Sequence, residues 1–483
     1  MFSKILALAL GVLTLADAHQ VPLRAGSDVD VSTPTGAQDA TIFSLVYGIP
    51  LTQYVIFADS IANKSSGQWT TNSILHETTL ANATYRAIVR PNVDTLYSES
   101  LIDLSVNDVV ATMPAVEGRF FVWPFYDVYG NNFCNIGTAT SSRAGKYLVK
   151  YSPANPGCIA SDTGEYAGTI NMPTPYGAAV LRIEVDNTTD ADYVVSSIQR
   201  TFTIVPQAVD RPQVAPALTR SLLNDGLDVN DIPLYIMQLT ARIAPFNLPE
   251  ESKDVAWVTS VLQLAGISDG PYSQPSGVDL PTAYSAALAE INSIETRGFF
   301  TSFGNGWSAL RADVSGDFHG HYNVRAFVAL EGYMQLNITE ALYPLYEVDQ
   351  TFFSNQSYTV EFYGKPQVLA FWSLTIYDEQ GYMVPNDLNR YSLNNRGSMT
   401  YPNGTLISET PADSGARFYM LLQSTDYPAS PEWESNWLPT PADGKVFNFL
   451  MRFYRPENSL FDGTYEYPKV TAVEVNPPIP SAL

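Results

Sequence analysis

The sequence predicts a mainly β protein with a helical segment, an α+β chain whose C-terminal part is an antiparallel, jelly-roll-like β-sandwich. Three observations predict it. Aromatic residues are abundant (29 Tyr, 23 Phe, 7 Trp) and proline and glycine are frequent, a mixture that favours twisted sheets with many turns over a helical bundle. Beyond Gly298, short apolar runs such as YTVEFYG, VLAFWSLTIYD, GTLISE and RFYMLLQ follow one another with turn signals between them. Helical spacing, by contrast, is concentrated near the start and in the middle of the chain. At 483 residues the chain exceeds the usual single core, so two domains are expected.

Read in order, the chain begins MFSKILALALGVLTLADAHQ. One basic residue, an apolar run from Ile5 to Leu15 and the small residues of Ala16-Asp17-Ala18 make residues 1–18 a secretion signal cleaved after Ala18. Residues 19–37 read as an exposed arm. A helix starts near Asp39, because Phe43, Val46, Tyr47, Leu51, Tyr54, Val55 and Ala58 recur near helical spacing, and Pro50 predicts a kink in it. The N-terminal domain spans 38–190, with strands and turns from Tyr85 and a strand at VLRIEVD. Residues 191–297 form a helical part or connector. There Val255, Val258, Val261 and Leu262 share one side of a helix from Asp254 to Ala265, stopped by Gly266, and Pro281 opens an alanine-rich helix to Ile294. The C-terminal β domain covers 298–470, and 471–483 is a tail.

Charge and cysteine content set the environment. Asp and Glu outnumber Lys and Arg by 49 to 26, a formal charge of -23, and no Lys/Arg run interrupts it. Such a surface repels nucleic acid and anionic membranes, so neither is an expected partner. No membrane anchor is expected, since no later apolar stretch is long enough and the end, NPPIPSAL, is not a lipid-anchor signal. Six sequons, at Asn63, Asn82, Asn187, Asn337, Asn355 and Asn403, fit a secreted, extracellular glycoprotein. In that oxidising route Cys134 and Cys158, the two cysteines present, form a disulfide. The sequence leaves the oligomeric state open.

Three blocks, RPNVDTLYSESLIDLS, FWSLTIYD and NWLPTPADGKVFNFLMRFYRP, resemble the two-domain DUF1254/DUF1214 family. The first resembles the core of its N-terminal domain and the others its C-terminal domain. Family-like residues include Pro91, Asn92, Asp94, Thr95, Tyr97 and Ser98, then Asn305, Gly306, Trp307, Arg325 and Ala326. They continue with Trp372, Tyr377, Asp378, Asn386, Arg390, Tyr391, Asn436, Trp437, Leu438, Pro439, Arg452, Tyr454 and Pro456. The chain departs from the pattern at Asn403-Gly404-Thr405, where the family has Asp-Gly-Ser, and near Gly137 and Arg143. The resemblance implies an exported, mainly β protein with a jelly-roll-like C-terminal domain, and implies no reaction.

The residues themselves offer three sites. In the first block Asp94 is placed to move a proton or orient a hydroxyl, Tyr97 to donate a hydrogen bond, and Arg86 or Arg90 to hold a carboxylate. Asp127 is a second carboxylate, and a suitable separation from Asp94 permits acid–base hydrolysis of a glycosidic bond. The alternative is an Asx-turn with an Arg–Asp pair fixing a strand end. Second, aromatic and polar residues of the other family-like blocks form a ligand surface: Asn92, Trp307, Arg325, Trp372, Asp378, Arg390, Trp437 and Arg452. The alternative is sandwich packing, with Arg452 paired to Asp378. Third, in GDFHGHYN an extended strand would project Asp317, His319 and His321 to one face, a ligand set for a divalent metal. Otherwise no cofactor is expected. There is no GxSxG, Walker A, GxGxxG or HExxH motif, which argues against an ATPase or a Rossmann dehydrogenase. The reading is a secreted hydrolase or acid–base enzyme acting on a carbohydrate or small polar metabolite. Its alternatives are a non-catalytic carbohydrate-binding or structural protein, and a metal-dependent enzyme using the His-x-His residues.

Overall fold

Helix α1 (Ala37–Lys64) is apolar around most of its length, and the fold has to cover most of it. Its composition and length would suit a membrane span, yet it is almost wholly buried inside the protein. The cover comes from α2 (Ile232–Ile243), α3 (Val255–Leu264), α4 (Leu280–Asn292) and α5 (Tyr322–Gly332), which pack around it into one core. The local sequence sets their ends. Asp231 and Asp279 accept from the backbone N–H groups of Leu234 and Thr282, and each is followed by a proline in the first turn. Gly266, at φ 87°, ends α3 in a conformation that glycine adopts without strain. The computed structural model describes residues 36–86, 90–161, 164–268, 270–346, 351–411 and 413–480. The expected signal and arm residues 1–35 lie outside them.

Two five-stranded sheets follow α1. In the first, β1 (Thr95–Asp103), β2 (Phe121–Asp127), β3 (Asn132–Gly137) and β4 (Tyr176–Glu184) stand in the order β1-β4-β2-β3, with Leu75–His76 outside β1. The second runs Thr203–Gln207, Asp108–Met113, Gly145–Tyr151, Gly168–Met172, Gly157–Ala160, and contains one parallel pair. Thr203–Gln207 carries this unit past residue 190. Leu96, Ile102, Val109, Trp123, Val149 and Leu181 are among the residues that fill the space between the sheets. The Cys134–Cys158 disulfide joins β3 to Gly157–Ala160 and so staples one sheet to the other.

Two further sheets form the C-terminal half. An eight-stranded antiparallel sheet contains β5 (Trp372–Asp378) beside β6 (Val446–Tyr454). It shares one hydrophobic core with a four-stranded sheet, in which Phe418–Ser424 and Trp437–Thr440 run parallel.

The architecture is mixed α and β, with 25% helix and 28% strand, so the mainly β expectation is corrected. The helices around α1 make the difference, because one largely apolar helix requires several partners. Two expected strands are also absent. GTLISE makes one isolated bridge, Thr400–Leu406, and a 3₁₀ turn at Ile407–Glu409. GDFHGHYN is a turn, with His319 at φ 49°, leading into α5.

Candidate functional site

Strand alternation decides which side chains meet between the two halves. On β1, Leu96 and Ile102 face the core between the N-terminal sheets, while Tyr97, Glu99 and Leu101 face outward toward α1. Tyr97 lies opposite Arg182 of β4 in the strand register. On β6, Phe449, Met451 and Phe453 fill the C-terminal core, so Leu450, Arg452 and Tyr454 face the N-terminal half. Where these faces approach, a pocket of about 110 Å³ opens. Its polar wall is Arg90, Asn92, Tyr97, Arg182, Arg452 and Tyr454, with Glu331 and Tyr343 beside them. Phe300, Leu310, Phe327 and Leu450 supply apolar wall.

Hydrogen bonds across the domain boundary fix this wall. Asn92 Nδ2 donates to the Tyr454 hydroxyl at 2.7 Å, and Tyr377 donates to the Pro91 carbonyl at 2.9 Å. Arg452 donates to the Arg90 carbonyl at 2.6 Å and to Thr375 at 3.1 Å. Arg182 donates to the Met334 carbonyl at 2.8 Å. Arg90 has φ 48°, a strained conformation held by its N–H bond to Gly381 at 2.8 Å, and its guanidinium pairs with Glu331 at 2.7 Å. Near Arg182, Glu340 is fully buried, and neither carboxylate oxygen has a hydrogen-bond partner. Burial pushes its pKa up to about 7, against the pull of Arg455 and Arg182.

A larger open cleft, about 650 Å³, lies on the other side of Tyr97. On its wall Lys64 bridges Glu77 and Glu99 at 2.7 Å each. Burial raises the Glu99 pKa, with Lys64 opposing. Burial would lower Lys64, but Glu99 and Glu77 together hold it above the ordinary range. The sequon residues Asn63 and Asn82 also line this cleft.

Of the residues picked out from the sequence, Arg90, Asn92, Tyr97 and Arg452 come together in the interdomain pocket. Asp94 and Asp127 line neither cavity. Asp94 accepts from Asn394 at 2.8 Å and pairs with Arg396 at 3.3 Å, tying the two halves together. Asp127, fully buried, accepts from the N–H groups of Tyr129 and Asn131 and from the Asn131 amide, closing its own turn. Arg325 lies over the rings of Tyr47, Tyr129 and Tyr322 inside the helical core. Trp307 and Trp372 fill the C-terminal core, and Trp437 bonds the Gln423 carbonyl. Arg390 holds the carbonyls of Glu434 and Trp437. Asp378 accepts from Gln380 and Tyr382 in a turn, so the expected pair with Arg452 is replaced by two separate interactions.

The metal expectation changes partner. With no strand at 317–321, His321 stands at the N-cap position of α5 without a side-chain capping bond, and its ring packs edge-on against Phe299. Asp317 and His319 instead meet Glu250, with ligand atoms all within 4.8 Å of one another. Burial and the facing Asp317 raise the Glu250 pKa. Among the described residues, these three are the set that could hold a divalent cation.

Sequence reasoning missed Arg182, Glu331, Tyr343 and Glu340. For Arg182 a signal existed, because it interrupts the apolar strand run VLRIEVD. A charged residue there either spoils the strand or serves a site.

Comparison with known proteins places these features in a family. A family model described as "Protein of unknown function (DUF1254)" matches residues 71–206, and one described as "Protein of unknown function (DUF1214)" matches 340–458. The VPA0106 protein of Vibrio parahaemolyticus has a similar crystal structure, with TM-score 0.60 and 16% identity over 91% of this chain and all of that one. That likeness concerns the fold alone. An uncharacterised Burkholderia cenocepacia protein aligns at TM-score 0.43 and 10% identity, over 90% of this chain and 95% of that one. No curated protein matches the sequence.

Proposed function

Because the chain belongs to the two-domain DUF1254/DUF1214 family, whose descriptions assign no activity, we propose a function from the site itself. The protein is a secreted glycoprotein with an acid–base enzyme site for a small polar metabolite, housed in the pocket between its halves. One observation carries this reading. Two family-like blocks, distant in sequence, converge on one small cavity: Asn92 and Tyr97 from the first, Arg452 and Tyr454 from the last. Neither half makes the cavity alone.

The volume favours a small metabolite over a carbohydrate chain at this place. Within the wall, Glu331 is the group suited to accept a proton, positioned by Arg90, and Tyr97 is suited to hydrogen-bond the substrate. The acid–base role first considered for Asp94 and Asp127 passes to Glu331, since those two carboxylates point into other interactions. Two face-to-face C-terminal sheets support the jelly-roll-like reading of that half, which here acts as a rigid mount for Arg452 and Tyr454.

The test is a metabolite screen by thermal shift on the full-length protein, followed by turnover assays on the compounds that bind. For a substrate so found, Glu331→Gln is expected to lower kcat by about 100-fold with the circular dichroism spectrum unchanged. Unaltered turnover in that variant would remove Glu331 from the mechanism. A screen in which every ligand ignores Leu450→Trp, a change that fills the pocket, would reject the pocket as the site.

A further inference from the structure

We propose that the interdomain pocket takes a small organic acid, its carboxylate held between Arg182 and Arg452 and its hydrocarbon part against Phe327 and Leu310. This rests on the reading of the pocket above and goes beyond it by fixing the chemical class of the ligand.

The argument begins with the cost of the two arginines. Arg182 is 7% exposed and Arg452 is 3% exposed, and each sits within a strand where an apolar residue would be cheaper. A buried cation without a counter-ion costs several kcal/mol in effective terms. Among the described residues neither arginine forms an ion pair. Their partners are carbonyls, hydroxyls and tyrosine rings, the Tyr97 ring lying 5.8 Å from Arg182 and the Tyr377 ring 5.6 Å from Arg452.

The carboxylates nearby leave the two cations available. Glu331 is engaged by Arg90. Glu340 lies beyond salt-bridge distance of Arg182, and its desolvation favours the neutral form up to about pH 7. Arg182 also has an unused donor, since its Nε is buried with no hydrogen-bond partner, and its contact to the Tyr343 hydroxyl is long at 3.4 Å. Guanidinium groups offer paired N–H donors in a plane, the geometry that matches a carboxylate or another oxyanion.

The apolar wall separates an organic acid from an inorganic anion. Phosphate or sulfate would satisfy the arginines and leave Phe327, Leu310 and Leu450 facing empty or wet space. A short aliphatic or aromatic acid covers both walls at once.

Isothermal titration of the full-length protein at pH 6, where Glu340 is mostly neutral and the acids are ionised, tests this, with butyrate and benzoate against butyramide, benzamide, inorganic phosphate and sulfate. At least one acid is expected to bind ten-fold or more tighter than its amide and than either inorganic anion. Arg182→Lys, which keeps the charge and loses the planar fork, is expected to weaken that acid by ten-fold or more. Equal affinity for acid and amide overturns the proposal. So does phosphate or sulfate binding as tightly as the acids, or acid binding that Arg182→Lys leaves unchanged. Should the variant not fold, the acid-to-amide comparison on the unaltered protein decides alone. Amides that bind as tightly as the acids, and are lost in Leu450→Trp, would leave the pocket as a small-molecule site while rejecting an acid as its ligand.

Discussion

Single residues show how burial turns ordinary chemistry into a liability or a tool. Glu340 gives the sharpest stability prediction. Its pKa in the folded protein is about 7, above the value of about 4.3 of an unfolded glutamate. The folded state therefore binds the proton more tightly. The stability it contributes is whole below about pH 4 and is lost as pH rises through 7. Glu340→Gln stays neutral throughout, so its advantage over the natural protein is expected to grow from near zero at pH 4 to on the order of 3 kcal/mol at pH 8. Urea midpoints taken across that range measure it, and parallel pH profiles for the two proteins would contradict it. Sequence alone could flag Arg182 and Arg452 as charges within apolar strands. It could not flag Glu340, whose surroundings are supplied by residues far along the chain.

At the scale of elements, α1 governs the helical half. Its spacing was legible because Phe43, Val46, Tyr47 and Tyr54 recur at helical intervals, and the observed helix passes through Pro50 without ending. The sequence did not convey how much of the helix is covered, since that depends on α2 through α5. Gly48 marks the closest approach: a Cβ there would lie 1.9 Å from Thr240 Oγ1 on α2. Gly48→Ala should therefore destabilise by roughly 2 kcal/mol, although alanine is the better helix former by about 1 kcal/mol. Adding Thr240→Ala should recover much of the loss, because the two positions share one contact. A stabilised single mutant in thermal melts would show that α1 and α2 can move apart freely. Strand alternation was legible in part for β6, where FNFLMRF alternates apolar with polar except at Leu450. Which face met another domain was not.

For the whole molecule, the surface carries the secretory reading. We propose that the sequons are used: Asn63, Asn82, Asn187, Asn355 and Asn403 are exposed, and Asn337 is half-buried. Enzymatic deglycosylation of protein secreted from a eukaryotic host should lower its mass by several N-glycans, and an unchanged mass would reject glycosylation. The disulfide belongs to this scale too, closing 24 residues of separation and adding about 3 kcal/mol by chain entropy. The sequence by itself determined the family, the Cys134–Cys158 pairing, the helix spacing and some strands of the C-terminal half, Trp372–Asp378 and Phe418–Ser424 among them. Each of these rests on local spacing, on composition or on motif. Only the tertiary structure decided the balance of helix and sheet, the different partners of Asp94 and Asp127, and the pocket that joins Tyr97 and Arg182 to Arg452. Those depend on which faces of distant elements meet, and that is settled by burying apolar surface over the whole chain rather than by any neighbouring residues.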